Sequence, residues 1–424
     1  MLRYTLILAI GSFLISSCVQ EECTATRSYV SYQPVFKTLE EINQAITFTE
    51  DRVLENPGKF FYYQDMILIN EKDKGVHLID NSDLSNPQKL GFLNIEGNVD
   101  ISLSGNYLYA DTYNNILVMD ISDIRNPEIT CVINDVKDIW FDDRTDSYLV
   151  GYEETNIVET FTCEDIPDQS FFFTDNRLFV DVAFDVDASF SGAPEAAING
   201  RSEGGQAGSL TRMALFNDHF YYINDWSMHI FDVSQIDKPD RVGLIQVEWG
   251  IETIFPYNNN LFIGGTDGMH IFDNSNPAEP RWLSTFRHAN ACDPVVVQDD
   301  IAYVTLRNGS ECQNFTNQLD VVDVSNLSRP ELIASFEMFN PHGLSIRDDV
   351  LYICEGEEGL KVFDAEEPEE VGSRQIGGVE DFFAFDVISV TKDVLLMIGE
   401  DGFYQFDTSD PEQPQLLSSI KVGE

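Results

Sequence analysis

Positive charge is scarce in this chain. Of its 424 residues, 25 are Lys or Arg and 73 are Asp or Glu, so the formal net charge is −48. A surface this negative repels phosphate backbones, and nucleic acid is therefore excluded as an expected partner. The simplest explanation of the acidity is solubility; a dedicated cation-binding surface is the alternative.

Several catalytic motifs are also missing. The sequence contains no HExxH, GxSxG or CxxC, so standard zinc-protease, serine-hydrolase and thioredoxin chemistry has no support. Long apolar runs are equally rare. The longest, residues 6–15, is too short to serve as a permanent membrane span.

The N-terminal residues have the pattern of an export signal. Arg3 precedes the apolar run, and Ile15-Ser16-Ser17-Cys18 follows it. This tetrapeptide resembles a bacterial lipobox, which implies cleavage before Cys18, a diacylglycerol on its sulfur and an acyl chain on its new amine. Several acyl chains together anchor a protein stably. The alternative is an ordinary secretory signal cut nearby, with Cys18 incidental.

The residues after Cys18 indicate where the protein is sent. Cys18-Val19-Gln20-Glu21-Glu22 resembles the export signal of Bacteroidetes surface lipoproteins. The resemblance implies display on the outer face of the outer membrane; tethering toward the periplasm is the alternative. We therefore expect a signal peptide at 1–17 and a lipidated tether at 18–56, with a short helix near 39–46. The membrane is an expected partner through this lipid.

One motif recurs along most of the chain: an aliphatic or aromatic run that ends in Asp. Most consecutive copies lie 40 to 43 residues apart. A degenerate copy at 136–163, with Glu159 in place of Asp, brings the number of units to eight. Each unit contains four short apolar runs separated by turn residues, which is typical of four-stranded propeller blades. The repeated Asp residues are Asp80, Asp120, Asp232, Asp273, Asp323, Asp364 and Asp407.

These Asp residues have a structural explanation. Each one ends the third strand of its unit, where a carboxylate can accept backbone N–H groups one or two residues further on. We therefore interpret them as residues that fix turns, not as catalytic or metal-binding groups.

The repeats resemble a known family. The best matches are Leu319-Asp320-Val321-Val322-Asp323 and Leu78-Ile79-Asp80, which are similar to the LVIVD repeat. The resemblance covers residues 57–420 and implies a propeller of extracytoplasmic proteins without a common enzymatic activity. We expect an all-β fold: a single β-propeller at 57–424 with seven or eight four-stranded blades, eight being preferred. A Gly/Ala/Ser-rich insertion at 185–210 is expected to form a surface loop or flap.

The connections between units carry the candidate ligand-binding residues. In a propeller, the connections from each fourth strand to the next first strand converge at one end of the central channel. Here they contain Trp249, Glu252, His288, Asp293 and His342. Histidines beside carboxylates favour a ligand or divalent-cation mouth. The alternative is that these side chains only close the channel, and no other cofactor is predicted.

The export signal implies an oxidising compartment for the cysteines. Cys292 and Cys312 belong to one unit, and we expect a disulfide between them. A catalytic thiol at Cys292 is the alternative. Cys131 and Cys163 flank the degenerate unit and form a second candidate pair, whereas Cys354 lies in an apolar strand and is expected to be a buried thiol.

Three functions agree with these observations. The first is a non-enzymatic surface lipoprotein that binds a protein or glycan, and the second is a scaffold for other envelope proteins. The third is an enzyme, metal-assisted or otherwise, that uses His288, Asp293 and His342. No residue is assigned as catalytic, and function must be argued from a site, since a propeller fold alone does not define it.

Overall fold

The protein folds almost entirely as β-strands. It has one α-helix, α1 (Leu39–Gln44), and one 3₁₀ helix (Pro368–Ser373), among the residues described below. Helix α1 starts at Thr38, whose hydroxyl accepts the N–H of Glu41 while the Glu41 side chain accepts the N–H of Thr38. Within those same residues, no helix has the length and apolar character needed to cross a membrane. A computed structural model describes residues 24–50, 52–137, 140–162, 206–209, 211–287, 294–308 and 317–423.

The chain divides into two compact units. Among the described residues, one unit comprises 24–36 and 150–162, and the other comprises those between 37 and 149 and between 206 and 423. In the first unit, strand β1 (Thr24–Lys37) lies beside β12 (Ser147–Thr162). The Tyr29 hydroxyl donates a hydrogen bond to Glu159 Oε1 over 3.1 Å between these strands.

The second unit contains seven sheets with a common core of four strands consecutive in the chain, each antiparallel to the next, and the first sheet has one further strand at each edge. We number these sheets as blades in chain order. Blade 1 consists of β3 (Pro57–Tyr63), β4 (Met66–Glu71), β5 (Gly75–Asp80) and β6 (Gln88–Asn94). Blade 2 consists of β7 (Ile101–Ser104), β8 (Tyr107–Thr112), β9 (Asn115–Asp120) and β10 (Glu128–Ile133). Blade 3 consists of β14 (Met213–Phe216), β15 (His219–Ile223), β16 (Ser227–Asp232) and β17 (Asp240–Gln246).

The remaining blades repeat this arrangement. Blade 4 consists of β18 (Ile251–Tyr257), β19 (Asn260–Gly265), β20 (Gly268–Asp273) and β21 (Arg281–Arg287). Blade 5 consists of β22 (Val295–Gln298), β23 (Ile301–Leu306), β24 (Gln318–Asp323) and β25 (Glu331–Glu337). Blade 6 consists of β26 (Leu344–Arg347), β27 (Val350–Cys354), β28 (Leu360–Asp364) and β29 (Gln375–Val379). Blade 7 consists of β30 (Ala384–Thr391), β31 (Val394–Gly399), β32 (Gly402–Asp407) and β33 (Gln415–Lys421). Three short strands complete the set: β2 (Thr47–Thr49), β11 (Phe141–Asp142) and β13 (Gln206–Ala207).

The seven blades form a closed ring. The first strand of each blade contacts the first strand of the next, from β3 through β7, β14, β18 and β22 to β26 and β30. Blades 7 and 1 share a hydrophobic core in which Phe60 and Ile67 pack with Ile388 and Leu396. The first strands therefore surround the central channel, and the fourth strands form the rim.

The predicted all-β propeller of four-stranded blades is confirmed. The described residues form eight sheets, which equals the preferred number of units, but the degenerate third unit does not form a blade. Its residues 157–159 lie within β12, in a sheet of three strands in the order β1-β12-β11. The ring passes from β7 of blade 2 directly to β14 of blade 3, so it has seven blades.

The repeated Asp residues fix turns, as predicted. In every copy the carboxylate accepts the backbone N–H of the residue two positions further on, with N···O distances of 2.8–3.0 Å. Each turn links the third and fourth strands of a blade. The recurring motif therefore has a local, structural cause in all seven blades.

Candidate functional site

Residues 206–209 and 211 hydrogen-bond to first strands of the ring. Strand β13 pairs with β3 of blade 1, and the Gly208 N–H donates to Phe60 O (3.2 Å). Further along, the Leu344 N–H of blade 6 donates to Ser209 Oγ (2.8 Å), and the Ile254 N–H of blade 4 donates to Thr211 O (3.1 Å). Residues 206–209, the end of the expected 185–210 insertion, thus contact the first strands, whereas residues 185–205 and 210 lie outside the described residues.

Two buried carboxylates hold this segment. Asp386 of blade 7 accepts the Ser209 N–H (2.9 Å) and hydroxyl (3.0 Å), and burial raises its pKa well above the ordinary value, although the hydrogen bonds oppose this. Asp100 accepts the Arg212 N–H (2.5 Å) and the Lys59 ammonium (2.8 Å). The segment is therefore fixed by polar contacts with blade 7 and with the connection between blades 1 and 2.

Two exposed tryptophans lie together at the end of the propeller that carries the connections between blades. Trp226 and Trp249 are 44% and 69% exposed, and their ring centroids are 6.1 Å apart at an interplanar angle of 81°. Large aromatic side chains usually bury most of their surface, so an exposed pair at a right angle is a candidate for ligand contact.

The backbone positions both tryptophans. Asn224 Oδ1 accepts the Trp226 N–H (3.1 Å) in the turn between β15 and β16. The Asp225 carbonyl accepts the Gly250 N–H (2.6 Å) in the connection that follows β17, and the Trp226 carbonyl accepts the Val247 N–H (2.8 Å). These bonds join a turn of blade 3 to the connection between blades 3 and 4, so the two rings are held by fixed backbone.

Charged side chains border the tryptophan pair. Arg212 donates to Asp225 (2.8 Å) on one side. On the other, Arg287 contacts Glu248 (3.4 Å) and Asp267 (2.7 Å). A hydrogen bond with the nearby Asp267 raises the pKa of Glu248, because two carboxylates cannot both ionise freely at short range. We call Trp226, Trp249, Arg212, Asp225 and Glu248 the Trp site.

A buried polar cluster lies at the boundary of blades 2 and 3. Lys137 Nζ is 2.5 Å from Asp111 Oδ2, and this pairing raises the pKa of Lys137 even though burial disfavours the charge. Burial also raises the pKa of Tyr222, which interacts electrostatically with Lys137, Asp111 and Arg212. This cluster therefore interacts with Arg212 of the Trp site.

Two of the predicted mouth residues belong to this region. Trp249 is part of the Trp site, and Glu252 lies close enough to raise the pKa of Arg212 together with Asp225. Sequence reasoning missed Trp226, Asp225 and Arg212. The available signal was the Asn224-to-Ser227 turn, because turns between second and third strands lie at the same end of a blade as the connections.

His342 occupies a different environment. It is only 4% exposed, and its ring packs against Phe383 and Phe385 at centroid distances of 6.0 and 5.6 Å. Its Nε2 lies 3.2 Å from Asn340 Nδ2, and its carbonyl accepts the Thr305 hydroxyl (2.8 Å). The structure therefore places His342 in a packed interior, apart from the exposed tryptophans.

The structure does not describe the remaining predicted site residues. His288 and Asp293 lie outside the described residues, as do both members of the predicted Cys292–Cys312 disulfide. Within the described part of the chain, no group of three or more His, Cys, Asp or Glu side chains is arranged to hold a metal ion.

Two cysteines are described. Cys131 is a free thiol, and Cys163, its suggested partner, lies outside the described residues. Cys354 is free and buried, as expected from its apolar strand. Burial raises the pKa of Cys354 well above its ordinary value, so this thiol is held in its unreactive, protonated form.

The geometry defines a β-propeller with an aromatic surface site, and comparison with known proteins adds the type of repeat. A family model for the LVIVD repeat matches residues 97–133 and 290–338. No curated protein matches the sequence significantly.

Solved structures resemble the chain in fold alone. Saccharomyces cerevisiae Sqt1 shares 10% identity over 89% of this chain and 88% of its own, with a TM-score of 0.51. Moraxella catarrhalis BamB shares 11% identity over 91% of each chain, with a TM-score of 0.46. Kluyveromyces lactis Hsv2p shares 10% over 89% of this chain and 99% of its own, also at 0.46.

Proposed function

We propose that this chain is a lipid-anchored protein of the cell envelope whose propeller binds a glycan at the Trp site. The observation that carries the ligand class is the exposed, perpendicular pair of Trp226 and Trp249 bordered by charged hydrogen-bonding groups. Sugar rings combine apolar C–H faces with many hydroxyls, so they need aromatic surfaces and polar groups side by side.

The side chains around the tryptophans suit sugar hydroxyls. Carboxylates accept hydrogen bonds from hydroxyls, and guanidinium groups donate to them. Asp225 and Glu248 supply the first type, and Arg212 and Arg287 the second. Because these groups already pair with one another and with fixed backbone, little ordering of the site is needed when a ligand binds.

The electrostatics favour a neutral glycan. The chain has a formal charge of −48, which disfavours approach of polyanionic polysaccharides. At the site itself, Arg212 and Arg287 are each matched by a carboxylate. A neutral oligosaccharide avoids the long-range repulsion and still uses every polar group of the site.

The proposed location rests on the N-terminal sequence. Residues 15–18 resemble a lipobox, so the mature chain would begin with an acylated Cys18. The acidic pair at 21–22 favours the outer face of the outer membrane, with a periplasm-facing tether as the alternative. A glycan-binding propeller at the cell surface would then hold polysaccharide next to the cell.

The glycan proposal is tested with the full chain purified in detergent. Neutral oligosaccharides of several linkage types are titrated while tryptophan fluorescence and binding heat are recorded. We expect Trp249→Ala and Trp226→Ala each to weaken binding by about tenfold or more, as for central aromatic contacts. Trp282→Ala is the matched control, because Trp282 is also exposed but lies on β21 at the rim.

Two results would refute the proposal. One is that no neutral oligosaccharide binds; the other is that Trp249→Ala binds as well as the unaltered protein. A metal enzyme remains the alternative function, and it would have to use His288 and Asp293. The burial of His342 argues against a three-residue site of that kind.

A further inference from the structure

Blade 1 carries an additional strand on its outer edge. Strand β2 runs antiparallel to β6, with Phe48 opposite Leu93 and Thr49 opposite Phe92. Phe48 packs onto the hydrophobic core that blades 1 and 2 share. The added strand belongs to a blade edge on which Phe92 and Leu93 are almost completely buried.

The same register position can be compared in every blade, because each fourth strand has a β-bulge against the third. Counting residue pairs from the bulge toward the end of the fourth strand, Phe92 is in the second pair of blade 1. Leu244 is in the second pair of blade 3. Leu244 is 51% exposed, whereas Phe92 is 1% exposed. The other blades have smaller residues here: Val132, Thr285, Ser335, Gly378 and Ser419. At this position blade 3, like blade 1, has a large apolar residue. In blade 1 the strand β2 pairs alongside it, whereas no described strand pairs alongside it in blade 3.

A groove lies beside this edge. It has a volume of about 770 Å³ and runs between blades 3 and 4. Ile245, the residue equivalent to Leu93, lines it together with Phe272 and Trp282. Directly opposite residues of paired strands point to the same face of a sheet. A strand added to β17 would thus place one side chain in the groove, as β2 places Phe48 between blades 1 and 2.

We propose that the outer edge of β17 binds an extended segment of a partner protein as an added antiparallel strand. The segment has an aromatic residue opposite Ile245 and an apolar or β-branched residue opposite Leu244. Main-chain hydrogen bonds supply affinity in this mode of recognition, and pockets for alternate side chains supply specificity. Unpaired edge strands are the surfaces on which such additions occur.

The charges that line the groove indicate which residues flank the aromatic anchor of the partner segment. Glu248 and Glu279 line the groove and are exposed, while Arg281 is neutralised by Asp273 at 3.0 Å. The lining is therefore net negative, and basic residues are expected on both sides of the aromatic anchor. Glu248 belongs to both surfaces, but Trp226 and Trp249 do not line the groove, so the groove serves a second partner.

The test uses a peptide that copies the chain's own added strand. Its sequence is Lys-Ala-Ile-Thr-Phe-Thr-Lys, which repeats residues 45–49 between lysines. Binding of the fluorescently labelled peptide to the full chain is measured by anisotropy, and amide hydrogen exchange is followed along β17 and β25. We expect binding, with slower exchange confined to β17. Replacing Phe by Ser in the peptide is expected to weaken binding by about tenfold or more, since it removes the groove anchor.

Matched variants locate the binding edge. Leu244→Glu and Trp282→Ala are expected to weaken peptide binding by about tenfold or more. Leu332→Glu is the control, because Leu332 is also 51% exposed and lies on the fourth strand of blade 5. Trp249→Ala is expected to leave peptide binding unchanged, which separates this surface from the proposed glycan site.

The proposal is overturned if the peptide does not bind, or if Leu244→Glu and Leu332→Glu weaken peptide binding equally. It is also overturned if amide exchange slows at strand edges other than β17, or if an oligosaccharide binds the groove in the peptide's place. Self-association of the chain that Leu244→Glu abolishes would also overturn it, because the occupant would then be a second copy. Circular dichroism and thermal unfolding verify that each variant is folded.

Discussion

Ser209 donates both its backbone N–H and its hydroxyl to the carboxylate of Asp386, a residue 177 positions further along the chain. Both residues are buried. The contact joins the end of the insertion to the last blade. A part of the chain that belongs to no blade is therefore held against the first strand of blade 7.

Asp386 makes stability depend on pH in an unusual direction. Because burial raises its pKa in the folded chain, ionisation opposes folding, and its contribution to stability falls as the pH rises above the ordinary carboxyl pKa of about 4. Asp386→Asn cannot ionise. Its unfolding free energy relative to the unaltered protein is expected to increase with pH, by at most about 1.4 kcal/mol per unit. Denaturant unfolding across a pH series measures this, and a difference that stays constant or decreases with pH would contradict it.

Gly343 tests the packing of the same contact. A Cβ at this position would overlap the Asp386 carboxylate and the Ser209 hydroxyl, so Gly343→Ala is expected to displace the segment or lower the unfolding temperature. Gly265→Ala is the control, because its nearest atom, Ile251 Cγ2, would be 3.2 Å away. Equal unfolding temperatures for the two variants would show that the channel contact is not as tight as described.

The turn Asp residues have the opposite pH dependence. Hydrogen bonds from the hydroxyl and N–H of Ser325 lower the pKa of Asp323, so its stabilisation is present above the ordinary carboxyl pKa of about 4 and is lost as the pH falls through the lowered value. Asp323→Ala is expected to cost on the order of 1 kcal/mol at neutral pH, while Asp323→Asn, which keeps an acceptor, costs less. Glu331→Ala, at an exposed position on β25, is the control for lost charge. If Asp323→Asn lowered the unfolding free energy as much as Asp323→Ala does, the hydrogen-bond explanation would be rejected.

The proposed anchor makes a prediction of its own. Cys18→Ser removes the sulfur that would carry the diacylglycerol, so the variant is expected in the soluble fraction while the unaltered protein fractionates with membranes. Cys23→Ser is the matched control and should remain with the membranes. A Cys18→Ser protein that still sediments with membranes would disprove lipidation at this residue.

Local features were predictable from the sequence. The turn Asp residues could be interpreted correctly because the accepting carboxylate and the donating N–H are two residues apart, so no knowledge of the fold is needed. The four-strand period was visible for a similar reason: each blade is built from consecutive strands. The position of Trp249 at the end that carries the connections could be predicted, because it lies in a connection whose place follows from the repeat.

Long-range features were not predictable. The Ser209–Asp386 contact depends on where a non-repeating segment meets the ring, and no residue near Ser209 signals it. Likewise, the sequence shows that His342 lies in a connection but not that Phe383 and Phe385 surround it. The degenerate repeat looked like a blade because strand propensity is local, whereas its pairing with β1 is not.

The uninterrupted blades have an evolutionary consequence. Every blade, including the first and the last, is built from one continuous stretch of chain, and no blade of the described ring combines strands from the two ends of the sequence. Duplication or loss of a single gene segment can therefore add or remove a complete blade and leave its neighbours intact. The ring can change size by such steps, provided that the faces of blades 7 and 1 still match when it closes.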